Sequence, residues 1–198
     1  NFNLFRFCLE CGCRPSEACN IKHNDFSMLD GETLLHIRGT KTANSDRMVP
    51  CPKDLYDLYS SPSETFVFLT SGGRKYDEEA MRRLFRRLKR EMNISMGCNI
   101  YRNKLIPPYP LSKDFVAYML RHTYCTDLYR KGIDVRIASK LMGHSTIQLT
   151  NDIYTHIGAL TISLILILTN LSSMFIVLLK LFNKTFTKRF IFLILFIV

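Results

Sequence analysis

The chain has 198 residues, which suits one domain with a sizeable hydrophobic core. Its 27 Lys and Arg residues exceed its 17 Asp and Glu residues and give a formal net charge of +10, which suits either a polyanionic partner or a merely soluble basic protein. Seven cysteines, an odd number, without a recognisable secretory signal argue against a secreted disulfide scaffold and for reduced thiols in a cytoplasm.

The first part of the chain predicts two short helices followed by a small antiparallel sheet. One helix ends near Cys11, and Pro15 opens another, because proline suits the first position of a helix. The pair Asp30-Gly31 is a hairpin signal between the strand-like runs 26–29 and 33–37. The next predicted elements are a strand at 47–49, a helix at 53–59 and a strand at 65–69.

Residues 77–92, DEEAMRRLFRRLKREM, predict an amphipathic helix with one apolar face and one basic face. The basic face is either an ordinary solvated face or one that contacts phosphates, and the family resemblance given below favours DNA phosphates. Contacts of this kind position a protein on a duplex without reading its sequence. The arginines assigned to this surface are Arg82, Arg83, Arg86, Arg87 and Arg90.

The second part of the chain predicts an irregular, proline-rich segment at 92–111 and then three helical runs. The first run starts at Ser112, and turn signals at Gly132 and Gly143 close the first two. The predicted fold class is therefore α+β, mostly α-helical with a small antiparallel three-stranded sheet.

The most informative stretch is 121–154, RHTYCTDLYRKGIDVRIASKLMGHSTIQLTNDIY. It combines a guanidinium at Arg121, an imidazole at His144 and a phenol at Tyr154, which together can attack a phosphodiester without a metal. The stretch resembles the C-terminal signature of the tyrosine recombinases, the phage and transposon integrase family. Upstream, GCRPSE at 12–17 looks like the first arginine box of that family, and Lys41 looks like its hairpin lysine.

The resemblance implies a catalytic domain at 1–156 that cleaves and rejoins DNA through a 3′-phosphotyrosine. Arg14 and Arg121 are expected to bind the non-bridging phosphate oxygens, and His144 to donate to them. Lys41 is expected to protonate the leaving 5′ oxygen after attack by Tyr154.

Two further residues, Glu17 and Tyr118, bear on these catalytic roles. Glu17 is expected to hold an arginine in place and not to touch DNA. Tyr118 stands three residues before Arg121, where the family has a histidine. A phenol is a poor base at neutral pH, so this departure bears on the rate more than on the type of reaction.

The implied partner is double-stranded DNA, bound by a homotetramer. The expected location is the cytoplasm, for a protein encoded by a bacterium or a phage. We expect no cofactor and no metal. A zinc site is the alternative interpretation of the cysteines, but their spacing lacks a second CxxC pair, so small buried hydrophobic side chains are the better interpretation. The four cysteines concerned are Cys8, Cys11, Cys13 and Cys19.

Both ends of the sequence depart from a complete integrase. The chain begins 13 residues before Arg14, from which we expect a truncated start without the N-terminal DNA-binding domain of the family. The hydrophobic tail at 157–198 is interpreted as frameshifted or translated flanking sequence. A membrane segment at 159–179, which is long enough to span a bilayer, is the minor alternative.

Three functional hypotheses follow. The first is a site-specific DNA recombinase. The second is a degenerate, catalytically impaired integrase fragment that binds DNA weakly. The third is a membrane-tethered basic DNA-binding domain.

Overall fold

A computed structural model of the chain describes residues 2–39 and 43–158. The chain divides after Tyr154 into two units, and the fold described below is that of the first. Lys41 and nearly all of the hydrophobic tail lie outside the described residues. Within the described ranges, no helix combines the length and apolarity needed to cross a membrane.

The described part of the first unit contains six α-helices from Asn3 to Met142 and five strands. The helices are α1 (Asn3–Glu10), α2 (Pro15–Ala18), α3 (Lys53–Tyr59), α4 (Glu78–Ser95), α5 (Ala117–Arg130) and α6 (Val135–Met142). The strands are β1 (Phe26–Leu29), β2 (Glu32–Ile37), β3 (Arg47–Pro50), β4 (Asn99–Tyr101) and β5 (Lys104–Ile106). Residues 148–154 are also helical. The mixed, mostly helical fold class is confirmed.

Strands β1, β2 and β3 form the antiparallel three-stranded sheet that the sequence predicts. The β1–β2 turn is made by Asp30 and Gly31, whose φ angles of 49° and 84° lie in the left-handed region that such two-residue hairpin turns require. The inward residues of β2, Leu35 and Ile37, are buried and alternate with more exposed neighbours. The sheet therefore covers one side of the core.

The core is rich in aromatic side chains that α1 brings to the sheet. The ring of Phe7 lies 6.0 Å from that of Phe26, 5.9 Å from that of Tyr59 and 5.7 Å from that of Phe68. Helix α1 packs against α5 along its other side. Helix α1 leads directly into the first arginine box, and α5 carries Arg121. Their packing therefore brings the arginine box close to the C-terminal motif.

The structure corrects three details of the predicted elements. Residues 65–69 do not form a strand, because their backbone pairs first with residues 21–23 and then with the chain at 74–75, and neither pairing is long enough. Helix α5 begins at Ala117 and not at Ser112. The ammonium of Lys89 binds the carbonyls of Lys113 and Phe115, which holds the preceding segment in a non-helical path. The β4–β5 hairpin lies inside the segment predicted to be irregular.

Candidate active site

The first arginine box is a tight turn followed by a capped helix. Gly12 has a φ of 66°, and a Cβ at this position would lie 2.5 Å from Cδ1 of Tyr124, so only glycine fits. Arg14 caps α2, and the carboxylate of Glu17 accepts both its backbone N–H at 2.7 Å and its Nη1 at 2.5 Å. The Nη2 atom of Arg14 reaches across the fold to the carbonyl of Gly143 at 2.8 Å. Glu17 therefore fixes the position of Arg14 in this structure.

A third arginine, which the sequence analysis missed, lies beside this pair. Arg47 begins β3, is buried, and donates through Nη2 to Glu17 at 3.0 Å and to the carbonyl of Gly12 at 3.3 Å. Its Nε binds the carbonyl of Leu141 at 2.7 Å, and its Nη1 binds that of Ser45 at 2.9 Å. Arg47 thus joins the arginine box, β3 and the end of α6.

Arg121 is the most deeply buried of the three arginines. Its Nη1 donates to the carbonyl of Gly12 and its Nη2 to that of Met142, while Glu17 lies 3.8 Å away. Its Nε is buried without a hydrogen-bond partner among the described residues. Burial, reinforced by the charges of Arg14 and Arg47, lowers its pKa from the ordinary value for arginine.

Glu17 is the single carboxylate around which the three guanidinium groups gather. Burial alone acts to raise its pKa, but the hydrogen bonds and charges of Arg47 and Arg14 outweigh this effect and lower it. The carboxylate is therefore ionised at neutral pH. The cluster of three arginines and one carboxylate keeps a surplus of positive charge, which favours an anion at its open side.

His144 follows α6 directly, beyond Gly143. Gly143 caps the helix in the left-handed conformation at a φ of 62°, and a Cβ there would lie 2.7 Å from Nη1 of Arg47. The ring Nδ1 of His144 pairs with the hydroxyl of the buried Thr150 at 2.8 Å. Burial and the charge of Arg121 lower its pKa to about 4, so the imidazole is neutral at pH 7.

The turn carrying His144 also contacts the segment at 43–46. The side-chain amide of Asn44 donates to the carbonyl of His144 at 3.3 Å. An open depression of about 400 Å³ lies at this junction. Its lining includes Asn44, Arg47, Lys140, His144, Ser145 and Ile147.

The hydroxyl of Tyr154 lies near the C-terminal end of α5, whereas Arg121 lies near its N-terminal end. It donates to the carbonyl of Ile133 at 3.2 Å, and its ring packs edge-on against Tyr129 with the centroids 5.0 Å apart. Burial raises its pKa to about 12, so the phenol is protonated at neutral pH. The structure thus brings together Arg14, Glu17, Arg121 and His144, and places the Tyr154 hydroxyl in a contact of its own.

Tyr118 lies one turn before Arg121, on the exposed side of α5. Its ring contacts the imidazole of His122 edge-on, with centroids 4.9 Å apart, and the residue is 41 % exposed.

The five arginines assigned to DNA contact occupy different environments on α4. Arg82 pairs with Glu78 at 2.5 Å, while Arg83 and Arg86 both pair with Glu79. Arg87 lies over the ring of Phe2 at 5.9 Å, and Arg90 donates to Asn103 at 2.6 Å. Arg82, Arg83, Arg86 and Arg87 are exposed, and Arg90 is half-buried.

The cysteines are packing residues in this structure. All seven are buried free thiols, and Cys8, Cys11, Cys13, Cys19 and Cys51 belong to the hydrophobic core. Within residues 2–39 and 43–158, no three or more His, Cys, Asp or Glu side chains group in a way that could hold a metal ion.

Solved structures of similar fold carry DNA. The Tn1549 transposon integrase in complex with circular intermediate DNA aligns with 77 % of this chain and 54 % of its own, at a TM-score of 0.57 and 20 % identity. The XerH site-specific recombinase bound to a palindromic difH substrate aligns with 78 % of this chain and 41 % of its own, at a TM-score of 0.56 and 23 % identity. At these identities the likeness establishes the fold.

Curated relatives share the sequence over the same region. The tyrosine recombinase XerA of Thermococcus kodakarensis is 32 % identical over 152 residues, which cover 74 % of this chain and 47 % of that protein. A tyrosine recombinase of Agathobacter rectalis is 27 % identical over 153 residues, which cover 74 % of this chain and 44 % of that protein. The chain thus spans about half the length of these curated relatives. Residues 1–159 match the phage integrase family model, and the chain therefore belongs to the phage integrase family.

Proposed function

We propose that residues 1–156 form the catalytic domain of a site-specific DNA recombinase, which cleaves and rejoins double-stranded DNA through a 3′-phosphotyrosine. The observation that carries this proposal is the gathering of Arg14, Arg47 and Arg121 around one carboxylate, with the neutral imidazole of His144 beside them. A surplus of guanidinium charge next to a neutral donor suits the extra negative charge that a phosphodiester acquires during attack. The relatives named tyrosine recombinases support the same reaction.

The roles of the arginines follow from their exposure. Arg14 keeps 30 % of its side chain exposed and is the first guanidinium that an approaching phosphate meets. Arg121 is fully buried and donates to two backbone carbonyls, so binding a phosphate oxygen requires it to exchange at least one of these bonds. Glu17 and Arg47 act through Arg14 and Arg121 by fixing their positions.

The chemical step uses Tyr154 as nucleophile. Its hydroxyl leaves the carbonyl of Ile133, passes its proton to solvent water and attacks phosphorus, which breaks the bond to the 5′ oxygen and forms the phosphotyrosine ester. Lys41 supplies the proton to that oxygen, His144 donates to a non-bridging oxygen, and Tyr118 occupies the position from which a base would act. Rejoining reverses these transfers, so neither ATP nor another cofactor is consumed.

The exposed side of α4 is proposed to contact DNA at phosphates other than the one that reacts. We assign Arg82, Arg83, Arg86, Arg87 and Arg90 to the sugar-phosphate backbone, where each contact releases condensed counterions. The partner is duplex DNA, and we propose that the working assembly is a homotetramer that holds two duplexes. The DNA complexes of the Tn1549 integrase and XerH support the choice of nucleic acid.

The test is the formation of a covalent protein–DNA adduct. The chain is incubated with nicked duplexes drawn from the DNA that flanks its gene, and adducts that resist SDS are resolved on a gel. We expect an adduct that is lost in Tyr154→Phe and kept in the matched control Tyr129→Phe, which alters the neighbouring ring in the same way. An adduct that persists in Tyr154→Phe would overturn the assignment of the nucleophile.

A second protein distinguishes an impaired fragment of an active recombinase from a domain that does not cleave DNA. This second protein, extended at its N-terminus before Asn1, is tested on the same duplexes. If only the extended protein forms an adduct, this chain is an impaired fragment of an active recombinase. If both proteins bind DNA but neither reacts, the domain is a degenerate integrase and the cleavage proposal fails.

A further inference from the structure

The β4–β5 hairpin is open to solvent on both of its faces. Tyr101 pairs with Lys104 on one face, and Ile100 pairs with Leu105 on the other. Tyr101 is 61 % exposed and Ile100 is 47 % exposed. Two short strands with exposed apolar side chains are marginal as an isolated structure, so this ribbon depends on its attachment to the body of the domain.

The attachment is made at the C-terminal end of α4. Arg90 donates to the side chain of Asn103 at the hairpin tip at 2.6 Å. The buried Asn93 holds both flanks of the hairpin, because its carbonyl accepts the N–H of Cys98 at 2.9 Å and its side chain accepts that of Leu111 at 3.0 Å. The ribbon is therefore presented in a fixed orientation beside the basic helix.

The tip of the hairpin carries a cation where glycine would be easier to accommodate. Arg102 and Asn103 make the two-residue turn with φ angles of 45° and 62°, both in the left-handed region. A residue with a Cβ at such a position costs about 1 kcal/mol relative to glycine. Arg102 nevertheless occupies it, with its guanidinium 5.3 Å from the centre of the Tyr101 ring. A strained residue on an exposed, rigidly held turn is a reason to look for a ligand.

The charge around the hairpin has one sign. The sequence from Met92 to Lys113 contains Arg102, Lys104 and Lys113 and neither Asp nor Glu. On α4, by contrast, Glu78 and Glu79 neutralise part of the basic face. The hairpin cations Arg102 and Lys104 thus have no acidic residue beside them in sequence, unlike the arginines of α4.

We propose that this hairpin is a second DNA-contact surface, in which Arg102 and Lys104 bind backbone phosphates and Tyr101 packs against the wall of a groove. The proposal rests on the proposed function and adds the surface that the motif residues do not supply. A two-stranded ribbon fits the width of a DNA major groove, and aromatic and cationic side chains together suit nucleic acid. The hairpin carries cations and no acidic residue, so a polyanion complements it better than a second copy of this basic chain does.

The test compares salt-dependent DNA affinity between two charge-matched variants of the full chain. Arg102→Gly with Lys104→Gln removes the hairpin cations, and glycine relieves the strained backbone, so the variant is expected to fold. Lys53→Ala with Arg74→Ala removes the same charge from exposed positions elsewhere. The probe is a fluorescein-labelled duplex of mixed sequence, two to three helical turns long, titrated by fluorescence anisotropy at several salt concentrations.

We expect the hairpin variant to bind about tenfold more weakly near 0.1 M salt. Its plot of log affinity against log salt should be shallower by about 2, one unit for each lost phosphate contact. The control variant should keep the slope of the wild type. Tyr101→Ala should weaken binding with the slope unchanged, because its contact is not ionic.

The outcomes distinguish a failure of the hairpin proposal from a failure of the proposed function on which that proposal rests. If the wild type binds DNA and the hairpin variant matches the control in affinity and slope, the hairpin proposal is wrong and the proposed function stands. If the wild type binds no duplex, the proposed function fails and the hairpin proposal fails with it. If the hairpin variant changes only self-association, measured by sedimentation, the surface contacts a protein and the proposal is overturned.

Discussion

Arg47 and Glu17 form a nearly buried ion pair, with Nη2 and Oε2 3.0 Å apart and side-chain exposures of 5 % and 10 %. The two residues come from β3 and α2, so the pair joins elements that are distant in sequence. Glu17 also binds Arg14 and lies 3.8 Å from Arg121. Removing its charge leaves three guanidinium groups without their shared counter-ion, which is among the costliest changes a folded protein can suffer.

We therefore expect Glu17→Gln to lower the free energy of unfolding by about 3–5 kcal/mol, the range for breaking a buried pair. Urea denaturation gives this value directly. Asp57→Asn provides the control, because its pair with Lys53 is exposed and should contribute less than about 1 kcal/mol. Equal effects of the two substitutions would show that Glu17 does not neutralise the cluster.

Gly12→Ala should be far more damaging than Gly31→Ala. Both glycines have positive φ angles, 66° and 84°, so alanine adds a similar backbone strain of about 1 kcal/mol at each site. At Gly12 the new Cβ would also meet the ring of Tyr124 at 2.5 Å, whereas at Gly31 nothing lies within 4 Å. We expect an additional cost of about 2 kcal/mol or more at Gly12, from overpacking. Similar unfolding midpoints for the two variants would contradict this account.

Stability should fall as the solution is acidified through the titration range of His144. The imidazole has a pKa of about 4 in the folded protein and near 6.5 in an unfolded chain. Between these values the unfolded state binds more protons, so the contribution is complete above pH 6.5 and is lost as the pH falls toward 4. Relative to His144→Gln, the wild type should lose about 2 kcal/mol between pH 7 and pH 5. Parallel pH profiles for the two proteins would show that His144 titrates normally.

Replacing Tyr118 with histidine should accelerate strand cleavage. An imidazole near neutral pH exchanges protons much more readily than a phenol, and general acid–base catalysis contributes about 10²-fold or more. The readout is the single-turnover rate of adduct formation as a function of pH, with Tyr118→Phe as the control that keeps the ring. A histidine variant no faster than the wild type would mean that position 118 takes no part in proton transfer.

The elements most readily predicted from sequence were those defined by local signals. The turn at Asp30-Gly31 gave the β1–β2 hairpin, and the glycines at 132 and 143 correctly marked the ends of α5 and α6. The β4–β5 hairpin was not predicted, for two reasons. Its turn residues, Arg102 and Asn103, are not the glycine that such turns usually contain, and a proline-rich run follows it directly after residue 106. Local pattern therefore predicted the elements whose turns follow common preferences.

The site was predicted only where a motif named its residues. Arg14, Arg121 and His144, which the family motif named, lie close together, and their catalytic roles stay predictions. Arg47 was missed, because its partners lie 30 residues away at Glu17 and 94 residues away at Leu141. Only tertiary packing distinguishes such an arginine from a surface residue at the start of an edge strand.

The burial of the cysteines gives this protein a built-in reporter of local opening. Cys11 and Cys13 flank Gly12, whose carbonyl receives Arg47 and Arg121, and both thiols are fully inaccessible. A thiol reagent can reach them only while the arginine box is detached from the rest of the fold. The labelling rate at these two positions therefore reports how often the cluster of Arg14, Arg47, Arg121 and Glu17 comes apart in solution.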